Sequence, residues 1–308
     1  MSIVVIGDVF VDIKGFPEDS YIPTGRNVGR VEYVHGGVAR NVVEDIANIE
    51  LRPTYIGIVD DTPMGQQVLT KLKKHKVNTD YVLTVPNGMG LWLAVFDNNG
   101  DVAGSISKRP DAYPMVDLLQ EKGDEIFSQA DSVVLQVDLH KDIVKRVFEL
   151  TDKYNLKAYA LVSNMSIAAE RRDFLQKFDC FICNEQEAGL LFLDDYSSKS
   201  PAEMQKILAD KIQRANIRSM VVTMGKDGAV YADRNGLTGY CPARNVQVKD
   251  TTGAGDAFCA GVASGLTYGM GLAEAVEVGT HLAASVITSA ENVCPRFRPE
   301  ELGINYPG

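Results

Sequence analysis

The chain has 308 residues, 45% apolar and 23% charged, enough for a large core that needs no disulfide or metal to hold it together. Its 31 Lys and Arg stand against 41 Asp and Glu, a net charge of −10. That balance argues against a nucleic-acid partner and against docking on an anionic membrane, but a small anion held by main-chain N–H groups remains compatible with it.

In chain order, an apolar run predicts a strand at Ile3–Ile6, followed by an irregular stretch at 14–35 and a helix over 38–49. Strand Thr54–Val59 and helix 63–75 come next, then a second irregular stretch at 78–108 with turn signals at Asn87-Gly88 and Asn98-Asn99-Gly100. Helix 116–129, strand 132–137, helix Lys141–Tyr154, strand 158–162, strand 180–183, helix 185–193, helix 202–214 and strand 220–223 continue the rhythm. Strand-like residues 246–248 lead into two Ala- and Gly-rich helices, 253–267 and 272–288. Alternating strand and helix predicts an α/β fold with a mostly parallel sheet covered on both faces. Residues 14–35 and 78–108 read as strands outside that sheet, an edge extension or a small lid on a single 1–308 domain.

The N-terminus lacks a basic segment, and its apolar run is too short for a signal peptide. No stretch reaches 18 apolar residues. Cys180, Cys183, Cys241, Cys259 and Cys294 are scattered and odd in number, so the expectation is a reducing cytoplasm. The CxxC at 180–183 has no second pair and reads as a buried strand. His35, His75, His140 and His281 have no metal-ligand spacing to one another, and Asp194-Asp195 reads as a solvated helix end.

Chemistry concentrates in Asp250-Thr251-Thr252-Gly253-Ala254-Gly255-Asp256-Ala257-Phe258-Cys259-Ala260-Gly261. Glycines at a helix start expose unpaired N–H groups at the positive end of the dipole, a ready anion site. Asp256 is either a first-turn acid favourable to that dipole or a base that takes a proton from an attacking hydroxyl. The string resembles the second signature of the PfkB (ribokinase-like) carbohydrate kinase family almost position for position.

Other segments match the same family in order. Gly36-Gly37-Val38-Ala39-Arg40-Asn41 resembles its glycine pair and sugar-binding Asn, and the run 6–12 resembles its first strand, ending on a substrate-binding Asp12. Asn184-Glu185-Gln186-Glu187 is similar to the NxxE element near the phosphates, and Thr223-Met224-Gly225-Lys226-Asp227-Gly228 to the segment lining the ATP site. By themselves these could be a turn, a helix capping box and a β-turn.

The resemblance implies a ribokinase-like three-layer sandwich with a small β lid, and phosphoryl transfer from ATP to a small-molecule hydroxyl. It makes Asp256 the general base, with the N–H groups of Gly253, Ala254 and Gly255 around the transferring phosphoryl. Acceptor contacts fall to Asp12, Gly36, Gly37 and Asn41. ATP contacts fall to Asn184, Thr223, Gly225 and Gly228. The resemblance further implies Mg²⁺ near Asn184 and Glu187, held largely through water, room for a K⁺-like cation beside Asp250 and Thr252, and a homodimer through the lid.

GGVARN, with Arg before the Asn, is similar to the pseudouridine kinase branch, so pseudouridine is the expected acceptor. Free sugars (ribose, fructose, 2-keto-3-deoxygluconate) are the alternative, and a non-catalytic sugar- or nucleotide-binding protein is the alternative from another class. Phe10 departs from the family, which commonly has a polar residue there. A dehydrogenase reading fails because no GxGxxG follows the first strand.

Overall fold

The computed structural model describes residues 2–170 and 172–305. Strand β1 (Ile3–Ile6) is followed by β2 (Phe10–Pro17), β3 (Gly29–Gly36), α1 (Val38–Asn48), β4 (Thr54–Val59), α2 (Pro63–Lys74) and β5 (Asn78–Thr84). Then come β6 (Gly90–Phe96), β7 (Val102–Lys108), α3 (Pro114–Phe127), β8 (Ser132–Gln136), α4 (Lys141–Tyr154), β9 (Lys157–Leu161) and α5 (Met165–Ala169). The chain continues through β10 (Cys180–Asn184), α6 (Glu185–Phe192), α7 (Pro201–Ala215), β11 (Ser219–Thr223), β12 (Ala229–Asp233), β13 (Thr238–Cys241), α8 (Ala254–Thr267) and α9 (Leu272–Ile287).

The main sheet has the order β13-β12-β11-β10-β9-β8-β1-β4-β5. Pairing is parallel from β11 to β5, and the β12–β13 hairpin adds two antiparallel strands at one edge. β1 is buried along its whole length and shows why such strands read as unbroken apolar runs: Ile3 and Val5 join the core beneath α1, α2, α8 and α9, while Val4 and Ile6 join the core beneath α3, α4, α6 and α7. Three layers result, the ribokinase-like α/β sandwich expected from the resemblance. A second sheet, β3-β2-β6-β7, stands apart from the first. Phe16 and Phe96 stack within it at 4.7 Å, with the Arg30 guanidinium over the Phe16 ring.

Three sequence expectations need correction. Residues 78–84 are not in the small sheet: they pair with β4, because Tyr81 and Leu83 pack against the main core. The small sheet begins at Phe10 rather than at 14, which puts Asp12 on β2 and not on the first core strand. Residues 246–248 form no strand; Val246 and Val248 wall a cavity instead of pairing. The β12–β13 hairpin was not anticipated, although Asn235-Gly236 carries its turn signal. No helix among the described residues is long and apolar enough to cross a membrane.

Candidate active site

The glycine pair brings three segments together. Gly36 ends β3 opposite Phe10, and a Cβ there would strike the Asp12 carboxylate, so Gly36 makes room for that acid. Gly37 has φ 95°, and a Cβ on it would meet Asp8 O and Phe10 N. Helix α1 therefore starts hard against the β1–β2 crossing, and Arg40, Asn41, Glu44 and Asp45 are all buried along it. Asn41 Nδ2 donates to Asp256 Oδ2 at 2.6 Å, joining residues 215 apart in sequence.

Asp256 lies in the first turn of α8, after a turn in which Gly253 is left-handed with φ 82°. Asp250 accepts the Thr252 N–H at 2.8 Å, and the Ala254 N–H donates to Thr251 O at 3.2 Å. The Ala254 N–H expected to face a phosphoryl group is thus engaged within the turn. The Gly255 N–H has no helical partner by its position, and a Cβ at Gly255 would meet nothing within 4 Å. Burial pushes the Asp256 carboxyl up to about 7, with Glu187 and Asp12 adding to the rise and Asn41 and Arg40 opposing it. A carboxyl poised there exchanges a proton readily near neutrality.

Asn184 and Glu187 form a reciprocal capping box: each main-chain N–H donates to the other's side-chain oxygen at 2.8 Å. Burial, and then Asp138, raises the Glu187 carboxyl above its ordinary value. Asn184 pairs in register with Thr223, so the end of β10 borders the end of β11. Beyond them is a cavity of about 570 Å³ lined by Thr223, Gly225, Gly228, Gly255, Phe258 and Ile287 among others. The three nucleotide-side residues expected on β11 and its turn therefore share one cavity with the start of α8. Its apolar wall of Phe258, Ala283, Ala284 and Ile287 went unassigned in the sequence, where those residues read only as helix core.

A second group was also missed. Asp8 follows β1 and Asp138 follows β8, at the carboxyl ends of neighbouring parallel strands, where open α/β sheets bind ligands. Gln136 donates to Asp8 at 3.2 Å, and Arg109, from the end of the small sheet, pairs with Asp138 at 2.9 Å. Burial and the neighbouring Asp138 push the Asp8 carboxyl up to about 7. Burial also raises Asp12 against the opposing Lys14 and Arg40. The Phe10 ring lies against Gly90, where a Cβ would collide with it.

Residues 1–293 match the family model described as pfkB family carbohydrate kinase. The chain is 36% identical over 293 residues to a guanosine-inosine kinase of Exiguobacterium acetylicum, covering 94% of this chain and 96% of that protein. It is 25% identical over 275 residues to the pseudouridine kinase of Escherichia coli (strain K12), covering 89% and 86%. In fold it superposes on the ribokinase of Arabidopsis thaliana complexed with ribose and ATP with a TM-score of 0.80, at 18% identity and covering 98% and 97% of the two chains.

Proposed function

Because the chain belongs to the pfkB family of carbohydrate kinases, we propose that it transfers the γ-phosphoryl group of ATP to the 5′ hydroxyl of a ribonucleoside, with inosine or guanosine preferred. The 36% identity to a guanosine-inosine kinase carries the substrate class and moves the preference from pseudouridine to a purine nucleoside. Pseudouridine stays as the second reading on the 25% relative. Hypoxanthine, guanine and uracil share ring N–H donors, which the Asp8 carboxylate can accept when ionised; adenine lacks one.

In this reading Asp12 and the main chain at Gly36 and Gly37 hold the ribose, and Asn41 adds its amide. Asp256 takes the proton of the attacking hydroxyl as its oxygen bonds to the γ-phosphorus and the bond to the ADP oxygen breaks. The N–H groups of Gly253, just before α8, and Gly255, in its first turn, stabilise charge on the transferring phosphoryl, and Thr223, Gly225 and Gly228 line the ATP cavity. The described residues hold no group of three or more His, Cys, Asp or Glu that could cage a metal, which suits an ion that keeps its waters and takes other ligands from phosphates. Mg²⁺ held near Asn184 and Glu187 would neutralise phosphate charge. A K⁺-like cation at Asp250 and Thr252 belongs to the same proposal. So does a homodimer through the small sheet, whose outer residues Val31, Tyr33 and Ile106 are exposed.

A coupled ADP-release assay with MgATP over inosine, guanosine, adenosine, pseudouridine, ribose, fructose and 2-keto-3-deoxygluconate tests the proposal. The expected order in kcat/KM places inosine or guanosine first, pseudouridine next and the free sugars last. Ribose or a hexose in first place would overturn the nucleoside reading. ATP binding with no transfer to any acceptor would favour a non-catalytic binding protein.

Glu187→Gln separates metal organisation from capping. Gln can still accept the Asn184 N–H, so the melting temperature holds. The Mg²⁺ concentration for half-maximal rate rises because the neutral amide no longer orders the ion's waters. An unchanged Mg²⁺ dependence would leave Glu187 as a helix cap alone.

A further inference from the structure

An Asn amide has a donor end and an acceptor end of nearly the same shape, and only one orientation suits a carboxylate. With Asn41 turned the wrong way, its carbonyl would face the Asp256 carboxylate and repel it. Asn41 Oδ1 accepts from Asn292 Nδ2 at 3.3 Å, and the same Asn292 nitrogen donates to His35 O at 2.9 Å. The His35 carbonyl also receives the Arg40 guanidinium, so the acceptor that orients Asn292 is itself fixed. Asn292 is buried, and its main-chain carbonyl packs where a Cβ on Gly253 would sit. One residue thus touches both the turn before α8 and the amide that contacts Asp256.

We propose that Asn292 is a positioning residue that locks the Asn41 amide with its nitrogen toward Asp256, holding the carboxylate ionised and aimed for proton transfer. This rests on the reading of Asp256 as the base. The charged and titratable groups facing Asp256 are Arg40 and Asp45 on α1, Asp12 on β2, Glu187 on α6 and Cys259 one turn along α8. None of them is a hydrogen-bond partner of the Asn292 side chain, which donates to His35 O and Asn41 Oδ1. Losing the oriented donor therefore moves Asp256 one way, upward, because Asn41 is the first influence opposing its burial.

The test is the pH–rate profile of Asn292→Leu, a neutral side chain of similar size without a donor, and of Asn292→Ser should the first variant not fold. The expected result is an acid limb displaced upward by about one pH unit, the worth of one hydrogen bond to a charged group. It follows that kcat/KM for the acceptor at pH 7 falls roughly fivefold and recovers by about pH 9, with KM for ATP unchanged. A limb that coincides with the parent's, or a kcat/KM lowered equally at every pH, would overturn the positioning role. Asp256→Asn in the same assay keeps the two ideas apart. If it retains turnover, the base reading falls; if it loses turnover while the Asn292 variants keep the parent profile, only the positioning role falls.

Discussion

Asp256→Asn lowers kcat by about 10²–10⁴ and leaves ATP affinity close to that of the parent protein. The side chains have the same shape, and Asn41 Nδ2 can still donate to an amide oxygen at position 256, so the start of α8 keeps its geometry. What disappears is the group able to take the hydroxyl proton. The carboxyl near 7 adds a signature: the parent's kcat/KM falls as pH drops below about 7, because protonated Asp256 cannot act as a base. Stopped turnover and isothermal titration with ATP measure the two halves of the result. Turnover within a few-fold of the parent's would return Asp256 to a first-turn acid favourable to the helix dipole, the simpler of its two readings.

Most of the parallel strands and their helices were legible because a buried strand is an apolar run between polar flanks, as at Cys180–Asn184, and a helix shows its period; the half-buried β5, which starts on polar Asn78, Thr79 and Asp80, was not. The anion-site turn was legible because its glycines answer a backbone need, seen in the φ of 82° at Gly253. What the sequence withheld lies in contacts made across the fold. Gln136 meets Asp8 over 128 positions and Asn292 meets Asn41 over 251, and neither pairing leaves a local pattern. Asn41 is the instructive case. Resemblance made it a sugar contact, and the topology also sets one of its amide N–H groups on the Asp256 carboxylate, a role no local pattern announces. Arg40 likewise entered as a mark of one branch of the family, yet it is 1% exposed and ion-paired inside the protein.

Arg40→Ala destabilises the fold by about 3–5 kcal/mol, the cost of leaving one partner of a buried pair without the other. Arg40 Nη1 meets Glu44 Oε2 at 2.6 Å one turn along α1, and Glu44 is fully buried. The same guanidinium donates to the carbonyls of His35 and Gly36, pinning the end of β3 to α1 beside Asp12. Lys71 reaches the other Glu44 oxygen at 3.0 Å but is partly exposed, so it offsets only part of the lost charge. Burial alone would raise the Glu44 carboxyl; Arg40 and Lys71 overcome it and hold the group below its ordinary value. A depressed carboxyl contributes stability that is full above its unfolded value near 4.5 and fades as pH falls through the lower folded value. The parent therefore loses this contribution only in acid, while the Arg40→Ala protein lacks most of it at neutral pH. Urea unfolding at pH 7 measures the difference, and Arg40→Lys, which keeps the charge but not the forked donors, falls between the two. A loss under about 1 kcal/mol for Arg40→Ala would mean that Lys71 carries the Glu44 charge by itself, and that the end of β3 is held by the Gly36–Gly37 packing rather than by Arg40.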